Sequence, residues 1–367
     1  MISNKITHLI TTIERGGAEK QLLTLASEQV QSGLKVVVLY LKGKPDLKNE
    51  FEESGVGVNN LLVGKSFLKQ IFLLSKYLRK NPSPIHAHLP RSELLAAVVI
   101  AKKYFVFSRH NAEPFWPSAP RIISNLLSKY VCKRASQGIA ISNAVKSYLI
   151  KRGEIPTGYT IDVVYYGFQK DISTKVASLG LITDIMNGQN SNYKIGTIGR
   201  LVPQKDYPTL LNAFSNVLKS VPNIELYVVG EGYLQKDLVN LSQSLGINDK
   251  VNWLGKTEYI KEFLSKIDLF ILPSKYEGFG LVLLEAMVAK KPIIAANNSA
   301  IPEVLGKLYD GLFLTGDVSA LAQQIKKAIS DKNFSERLIQ SHLSQLNLFD
   351  PSKMNRNVEN VYLNAGF

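Results

Sequence analysis

Short apolar runs alternate with amphipathic stretches through the first half of the 367-residue chain. The runs are rich in Val, Ile and Leu, and the stretches between them have the apolar spacing of helices. Near-continuous apolar strands separated by helices are typical of a parallel sheet covered on both faces. Residues 1–170 therefore predict a doubly wound α/β domain. Its predicted strands are ITHLIT (6–11), KVVVLYL (35–41), VNNLLV (58–63), IHAH (85–88), FVFSRH (105–110) and GIAIS (138–142).

The alternation stops at residues 171–193, which are rich in Ser, Asn and Gly and predict a linker. It resumes in a second predicted domain, residues 194–350, and a proline break at 351 precedes a last helical pattern, 351–367. Ligands of doubly wound folds bind at the carboxyl ends of the strands, so the cleft between two such domains is the expected site. The second set of strands is KIGTIG (194–199), IELYVVG (224–230), VNWLG (251–255), LFILPS (269–274), PIIAA (292–296) and GLFLT (311–315).

Cysteine usage and hydropathy predict a soluble protein of the reducing cytoplasm. Hydrophobic residues make up 45% of the chain, which is enough for a large core. The one cysteine, Cys132, has no partner within the chain for a disulfide. The first residues lack the unbroken apolar core of a signal peptide, and no apolar run reaches the length of a membrane span.

The net charge of +14 is concentrated in the first half. Residues 1–170 contain 24 Lys and Arg but 11 Asp and Glu, whereas the remainder contains 20 and 19. Zinc-ligand cysteine pairs, an RNA-binding aromatic signature and an arginine-rich tract are all missing, so a nucleic-acid partner is not expected. Residues 65–80 and 121–134 combine basic and apolar side chains and predict contact with an anionic membrane surface. The alternative is that they are ordinary sheet-covering helices with solvated lysines.

Two cations follow the first strand of the second domain, in TIGRLVPQKD. Arg200 lies just past the strand, and Lys205 lies immediately before the helix predicted from Asp206. Cations at a strand exit beside a helix N-terminus suit a diphosphate, because the helix end adds partial positive charge and free N–H groups. The alternative is a pair of solvated loop cations.

Two glutamates frame the stretch KYEGFGLVLLEAMVAKKP, residues 275–292. Glu277 lies on the loop after the strand LFILPS, where Gly278 and Gly280 allow close approach of the backbone to a ligand. Glu285 lies in the following helix among apolar residues, which predicts its burial. A buried carboxylate needs hydrogen-bond donors, and ligand hydroxyls could supply them. The alternatives are pairing of Glu285 with a backbone N–H or a basic side chain, and a free loop carboxylate at Glu277.

The first domain offers glycines and histidines at its strand ends. Gly16 and Gly17 follow the first strand and suit either close approach to a ligand or a plain turn. His110 ends the strand FVFSRH and is expected to point into the cleft. His86 and His88 share one face of a strand because side chains alternate with a period of two; a structural role is expected for His86, and the role of His88 stays open.

Taken together, these motifs resemble the retaining glycosyltransferases of family 4 over nearly the whole chain. The resemblance rests on GRLVPQKD, on LPSKYEGFGLVLLEAMVAKKPIIA with its two glutamates, and on GGAE (16–19), HAH (86–88) and SRHN (108–111). It implies the GT-B fold, in which two Rossmann-like domains face a cleft. It also implies that the last helix, from about 351, crosses back to pack on residues 1–170.

The resemblance further implies roles for these residues. Arg200 and Lys205 would hold the diphosphate of a sugar nucleotide and stabilise its growing negative charge, without a metal ion and without a cofactor. Glu277 would hold the sugar hydroxyls or diphosphate together with the backbone N–H groups of Gly278, Phe279 and Gly280. Glu285 would hold the ribose hydroxyls.

In the first domain, the resemblance makes His110 the residue nearest the reacting centre and brings Gly16 and Gly17 close to the donor. Tyr166, in VVYYGFQKD, stands where the family usually has asparagine. The motif therefore leaves open whether a ligand is contacted at that position.

The expected function is a retaining, metal-independent hexosyltransferase. It would move a sugar from a nucleotide sugar to a lipid-linked or other saccharide acceptor in cell-surface polysaccharide synthesis, as a cytoplasmic protein peripheral to the inner face of the cell membrane. One alternative is a sugar-nucleotide epimerase of the same fold, and another is an inactive binding subunit of a transferase complex. Product analysis with several sugar nucleotides distinguishes the three.

Overall fold

The computed structural model describes residues 4–100, 102–169 and 192–367. Almost all of the predicted linker, 171–193, lies outside these residues. The chain divides into two compact units. The first unit comprises Met1–Gln169 and Leu348–Phe367, and the second comprises Lys170–Asn347.

The first unit is built on a seven-stranded parallel sheet of order β3-β2-β1-β4-β5-β6-β7. The chain adds strands first on one side of β1 and then, from β4, on the other, so the order reverses between β1 and β4. The strands are β1 Lys5–Ile10, β2 Lys35–Tyr40, β3 Gly57–Asn59, β4 Ile85–His88, β5 Phe105–Arg109, β6 Gln137–Ala140 and β7 Ile161–Val163.

Helices connect these strands and cover the sheet. They are α1 Gly17–Gln31, α2 Lys48–Glu53, α3 Phe67–Lys80, α4 Pro90–Val99, α5 Arg121–Arg134 and α6 Asn143–Arg152. Helix α4 packs against both α3 and α5. The strands β4 and β5 are buried along their whole length, which is expected for a parallel sheet with helices on both faces.

The second unit has a six-stranded parallel sheet of order β10-β9-β8-β11-β12-β13, and its order reverses between β8 and β11. Its strands are β8 Tyr193–Ile198, β9 Ile224–Val229, β10 Val251–Gly255, β11 Leu269–Leu272, β12 Ile293–Ala296 and β13 Leu312–Phe313. Its helices are α7 Tyr207–Leu218, α8 Gln235–Ser244, α9 Ile260–Lys266, α10 Leu281–Val288, α11 Ile301–Leu305, α12 Val318–Ser330 and α13 Lys332–Gln345.

The last helix, α14, spans Pro351–Ala365 and belongs to the first unit. Asp350 caps it by accepting a hydrogen bond from the Lys353 backbone N–H, and proline occupies the first turn, where its missing N–H costs nothing. Its buried face, including Val358 and Tyr362, joins the core cluster that contains residues of α1 and β1. The C-terminal segment is thus an integral part of the first unit's core.

Two doubly wound parallel sheets are confirmed, and the differences from the sequence analysis are local. Strand β3 ends at Asn59, short of the predicted 58–63, because the Asn59 side chain accepts a hydrogen bond from the Leu61 N–H and forms a turn. Strand β7 was not predicted, because its three residues are too short a run to recognise.

Each unit contains one of the two tryptophans, Trp116 and Trp253. Among the described helices, none combines the length and apolar character that crossing a membrane requires.

Candidate active site

In the second unit, the predicted ligand-binding residues Arg200, Lys205 and Glu277 lie beyond the carboxyl ends of two neighbouring strands. Strand β8 leads to Arg200 and Lys205, and β11 leads to the loop of Glu277. These strands pair in parallel at the reversal of strand order, the place where doubly wound folds bind ligands. The backbones of the two loops are tied together, since the Lys275 N–H donates to the Gln204 carbonyl at 2.8 Å. One rigid sheet edge therefore presents both motifs.

Lys205 and Glu277 form an ion pair, although they are 72 positions apart in sequence. The Lys205 Nζ lies 2.5 Å from Glu277 Oε1, and the two side chains are 14% and 8% exposed. The Ser274 hydroxyl donates to the same carboxylate oxygen at 2.7 Å, and the Glu277 N–H donates to Ser299 Oγ at 2.8 Å. The carboxylate has two partners, so the alternative of a free loop carboxylate is wrong.

Arg200 differs from Lys205 in being exposed to solvent. It follows Gly199, whose backbone is packed against a second glycine loop. A Cβ at Gly230 would lie 2.0 Å from the Gly199 carbonyl oxygen, and one at Gly232 would lie 2.3 Å from the Leu201 carbonyl oxygen. The guanidinium is accessible, while the backbone that carries it is held by close packing.

The sequence analysis missed this second loop, GEGY, residues 230–233. The Leu201 N–H donates to the Glu231 carbonyl at 2.9 Å, which fixes the segment between β8 and α7. The signal was present in the sequence: two glycines flank an acidic residue directly after the apolar run IELYVV. Glycine pairs at a strand end indicate a close backbone approach.

Helix α10 starts beside the ion pair, at the end of the Gly278–Phe279–Gly280 loop. Phe279 is buried, and Gly280 precedes the helix with a φ of 89°. Glu285 was predicted to be buried, but it is only half-buried. The reason is its position on the helix: Leu283, Leu284 and Met287 face the core, and residue 285 falls on the opposite, partly exposed stripe with 281 and 288.

In the first unit, Gly16 and Gly17 lie where the chain passes from β1 into α1. Gly16 is the residue before the helix, in extended backbone, and α1 begins at Gly17. A Cβ at Gly16 would overlap the end of the Glu19 side chain, which accepts a hydrogen bond from the Thr12 hydroxyl at 2.6 Å. A side chain at position 16 would therefore require Glu19 to move away from Thr12.

His110 lies at the end of β5 and is buried, with both ring nitrogens in hydrogen-bond contact. Its Nδ1 lies 2.5 Å from the Tyr166 hydroxyl, and its Nε2 lies 3.0 Å from His88 Nδ1. The Tyr166 ring stacks on the His110 ring with centroids 5.8 Å apart. Tyr166, the departure from the family pattern, is thus a partner of His110.

The contacts continue from His88 into the core. His88 Nε2 lies 2.9 Å from His8 Nδ1, and His8 Nε2 lies 2.7 Å from Gln29 Oε1. Gln29 Nε2 donates to the Tyr362 hydroxyl of α14 at 3.2 Å. Six side chains from β1, α1, β4, α14 and the ends of β5 and β7 form one continuous series.

His86 lies beside this series, with its ring centroid 4.1 Å from that of His88, as two residues on one face of a strand should be. Its Nδ1 lies 2.7 Å from the Tyr362 hydroxyl and its Nε2 lies 2.7 Å from Ser108 Oγ. We call the eight residues His8, Gln29, His86, His88, Ser108, His110, Tyr166 and Tyr362 the histidine chain.

Burial keeps these histidines uncharged. Desolvation lowers the pKa of His8 to about 4 and that of His110 to about 3. It also lowers the pKa values of His86 and His88 well below the ordinary value, and neighbouring histidines lower them further. The pKa of the Tyr166 hydroxyl is raised by desolvation, so Tyr166 keeps its proton.

A metal ion does not suit this cluster. Among the described residues, His8, His86 and His88 are the group whose ring nitrogens are close enough to hold one. Each of these nitrogens, however, already has a hydrogen-bond partner at 2.7–3.0 Å. A metal would have to replace bonds that satisfy every ring nitrogen of buried, neutral imidazoles.

A second buried polar group, also missed, lies next to His110. The Arg109 Nε donates to Glu93 Oε2 at 2.7 Å, and Arg109 Nη1 lies 3.6 Å from Glu154 Oε2. Arg109 also stacks over the Phe115 ring at 4.4 Å. Burial raises the pKa of Glu93 to about 7, although Arg109 opposes the shift. This group anchors the β5 end that carries His110.

Two family models match the chain. "Glycosyltransferase Family 4" matches residues 15–169, and "Glycosyl transferases group 1" matches residues 185–343. The two matches span both units, and the chain belongs to the glycosyltransferases of the family 4 type.

The chain is similar to individual curated proteins over very different shares of their length. The chain is 24% identical, over 91% of each sequence, to the Campylobacter jejuni GalNAc-α-(1→4)-GalNAc-α-(1→3)-diNAcBac-PP-undecaprenol α-1,4-N-acetyl-D-galactosaminyltransferase. It is 37% identical to an exopolysaccharide phosphotransferase of Streptomyces coelicolor, over 36% of this chain and only 14% of that one. Several of the curated relatives are thus matched over less than half of their own length.

The solved structure of Anabaena HepE in complex with UDP and glucose superposes with a TM-score of 0.81 at 22% identity, covering 97% of this chain and 98% of the other. At that identity the likeness establishes the fold alone. The GT-B fold expected from the sequence is confirmed.

Proposed function

We propose that this protein is a retaining, metal-independent glycosyltransferase that moves a hexose or related sugar from a nucleotide diphosphate to an acceptor hydroxyl. The observation that carries the proposal is the Lys205–Glu277 pair beside the exposed Arg200, at neighbouring strand ends where the strand order reverses. A cation that is already oriented by a buried carboxylate suits a substrate that is itself anionic.

In the proposed reaction, the bond between the anomeric carbon and the diphosphate oxygen breaks, and negative charge grows on that oxygen. Arg200 and Lys205 stabilise this charge without needing to reorganise, because their backbones are held by the packed loops. The acceptor oxygen attacks the face that the leaving group vacates, and its proton passes to the departing phosphate. Glu277, with the N–H groups of 278–280, holds the donor sugar or diphosphate.

The remaining assignments come from the family motifs. Glu285, which is half-buried on α10, binds the ribose hydroxyls. Gly16 and Gly17 lie close to the donor, and His110 lies nearest the reacting sugar. No cofactor is required.

Relatives support the chemical class of both substrates. The HepE structure contains UDP and glucose, and the Campylobacter relative is named for an undecaprenol-linked acceptor. We assign this chain a nucleotide-diphosphate sugar as donor and a lipid-linked saccharide as acceptor, in the synthesis of a cell-surface polysaccharide.

The surface of the first unit favours such an acceptor. Leu68 and Phe72 on α3 are 79% and 60% exposed, and Ile122 and Leu126 on α5 are 74% and 62% exposed. Both helices pack against α4, so they cover the same side of the sheet. Exposed basic residues accompany these apolar side chains on both helices: Lys69, Lys76, Arg79, Lys80, Arg121, Lys129 and Lys133, with Lys65 just before α3. Apolar and basic side chains together suit an anionic membrane surface at the inner face of the cell membrane.

Product analysis tests the enzymatic assignment. The protein is incubated with a panel of sugar nucleotides and a lipid-linked acceptor, with and without a metal chelator. Transfer with the anomeric configuration of the donor, seen by NMR and unaffected by the chelator, supports the proposal. Epimer formation without transfer would establish the epimerase alternative, and binding without turnover would establish an inactive subunit.

Vesicle co-sedimentation tests the membrane assignment separately. We expect binding to anionic but not neutral vesicles at low salt, weakened in the double variant Phe72→Ser/Leu126→Ser. The matched control is Leu308→Ser, which removes a leucine of the second unit that is 95% exposed. Equal loss of binding in the control and the double variant, or equal binding to both vesicle types, would contradict the assignment.

A further inference from the structure

The hydrogen bonds of the histidine chain can be given directions, starting from Gln29. Its Nε2 faces the Tyr362 hydroxyl, so its Oε1 faces His8 and can only accept. His8 Nε2 must therefore carry a proton. Because a neutral imidazole has one N–H, His8 Nδ1 is bare and accepts from His88 Nε2.

The same reasoning passes through the next two rings. His88 Nδ1 is bare and accepts from His110 Nε2, so His110 Nδ1 is bare as well. The donor to that nitrogen is the Tyr166 hydroxyl, which keeps its proton. Each protonation state follows from its neighbour, and the series runs in one direction from Tyr166 to Gln29.

The hydrogen bonds from Gln29 through Tyr362 to His86 and Ser108 can be given directions in the same way. The Tyr362 oxygen accepts from Gln29, and its single proton points to His86 Nδ1. His86 is then protonated at Nε2 and donates to Ser108 Oγ. All four rings have the same tautomer, and every ring nitrogen has a hydrogen-bond partner. A half-satisfied buried network would be costly, so a change at one ring is passed to the next.

We propose that Tyr166, His88, His8 and Gln29 are positioning residues that hold His110 as an uncharged ring protonated at Nε2. Both ring nitrogens of His110 point into the protein, so the side chain does not exchange a proton with substrate. It serves instead as a rigid support for the end of β5. The consequence for catalysis rests on the proposed transferase function, in which His110 lies nearest the reacting sugar.

The wild-type protein gives the first test. Long-range proton–nitrogen NMR of protein labelled with ¹⁵N-histidine distinguishes a bare from a protonated ring nitrogen. We expect protonated Nε2 and bare Nδ1 at His8, His86, His88 and His110. A charged ring, a proton on His110 Nδ1, or a stoichiometric transition metal in elemental analysis would overturn the proposal.

The second test changes the far end of the series. In Gln29→Met, the His8 Nε2–H loses its acceptor, and His8 avoids an unsatisfied N–H by moving its proton to Nδ1. His88 and His110 must then follow, so we expect protonated Nδ1 to become populated at all three rings together. For sugar transfer, we expect kcat to fall about 10-fold with little change in donor KM, by analogy with the loss seen when the hydrogen-bond partners of metal-bound histidines are removed.

The matched control is Gln70→Met. Gln70 is equally buried in the same unit, and its Nε2 donates to the Leu41 and Leu62 carbonyls outside the histidine chain. We expect this control to lose stability but to leave the His110 signals and kcat unchanged. Equal effects of the two substitutions on kcat, or unchanged His110 signals in Gln29→Met, would refute the proposal.

If Gln29→Met does not fold, Tyr166→Phe tests the series from its other end, because it removes only the hydroxyl that donates to His110 Nδ1. The Nδ1 signal of His110 must then move, and an unmoved signal would contradict the proposal. The expected tautomers in a protein that shows no sugar transfer would support the ring assignment and refute the transferase. Transfer without the expected tautomers would do the reverse.

Discussion

The two sheets have the same order around their central strands, but they place different chemistry where that order reverses. In the second unit the side chains are charged: Arg200 is exposed, and Lys205 is paired with Glu277. In the first unit the histidine chain, which includes His110, consists of neutral, buried side chains that are hydrogen-bonded to one another. A charged edge suits binding of a diphosphate, whereas a neutral, satisfied edge suits rigidity. In the functions proposed above, one topology would carry a binding surface in one unit and a fixed support in the other.

The difference extends to what holds each site. The second unit positions Arg200 through backbone packing, since Gly199 and Leu201 lie against Gly230 and Gly232. The first unit positions His110 through side chains from six segments of the chain. Low pH should therefore destabilise the first unit more than the second. A substitution that disturbs the packing of the two glycine loops should destabilise the second unit.

Acidification is expected to have the largest effect. All five histidines have a lowered pKa, and four of them belong to the first unit. In the window from about pH 6.5 down to about 4, the unfolded chain binds protons that these folded rings do not, so stability falls as pH falls. Each ring contributes up to about 1.4 kcal/mol per pH unit, and Glu93, with its raised pKa, opposes one of them.

Urea unfolding followed at several pH values across this window checks the prediction. We expect the first unit to lose its structure before the second as the pH is lowered. Simultaneous loss in both units, or stability that does not depend on pH between about 6.5 and 5, would show that the histidines are not buried in the neutral form.

Substitution of Gly230 by Ala is expected to destabilise the second unit by about 3 kcal/mol. The new Cβ would overlap a backbone carbonyl, and φ at this position is 136°. The control is Gly246→Ala, where φ is also positive but nothing lies within 4 Å of the added carbon. It should cost about 1 kcal/mol, from backbone strain alone. A smaller loss for Gly230→Ala than for the control in urea unfolding would disprove the packing argument.

Removal of either cation is expected to affect catalysis more than folding. Arg200→Ala or Lys205→Ala should lower turnover at saturating donor by roughly 100-fold or more, because charge grows on the diphosphate as the glycosidic bond breaks. Lys219→Ala, an exposed lysine at the end of α7, is the control and should retain wild-type turnover. Wild-type turnover in both Arg200→Ala and Lys205→Ala would refute the assignment of these two residues to the diphosphate.

Substitution of Glu285 or Glu277 is expected to have the smallest effect of the changes considered. It tests whether the two glutamates of the second unit bind different parts of the donor. Glu285→Gln should weaken binding of a free nucleoside diphosphate by roughly 10-fold, the loss of about one charged hydrogen bond. Glu277→Gln should mainly affect the sugar, seen as a larger loss for the intact sugar nucleotide than for the free diphosphate. Equal losses for the free diphosphate in both variants, measured by calorimetry, would show that this division is wrong.

The sequence predicts the second unit's site better than the first, for a physical reason. Arg200, Lys205, Glu277 and Glu285 lie in two short strand–loop–helix stretches, so their proximity follows from parallel pairing of the two strands. The direct bond between Lys205 and Glu277 did not follow, because it depends on side-chain directions across the two loops.

The histidine chain could not be predicted in the same way. Its residues range from His8 to Tyr362, and only HAH and SRHN are local motifs. Gln29 and Tyr362 look like ordinary helix residues until α1 and α14 pack together, and Tyr166 is simply a departure from the family pattern. Strand positions were predicted well, since Val/Ile/Leu runs report burial directly, whereas short strands such as β7 give too little signal.

The placement of the two tryptophans, one in each unit, gives the protein a pair of separate optical reporters. Trp116 lies in the loop before α5, where its N–H backbone group donates to Ser124 Oγ at 3.0 Å, and Trp253 lies on β10. With Trp116→Phe, tryptophan fluorescence excited selectively over tyrosine would report the second unit alone, and with Trp253→Phe it would report the first. The order in which the units unfold can therefore be observed in the intact chain, without cutting it at the linker.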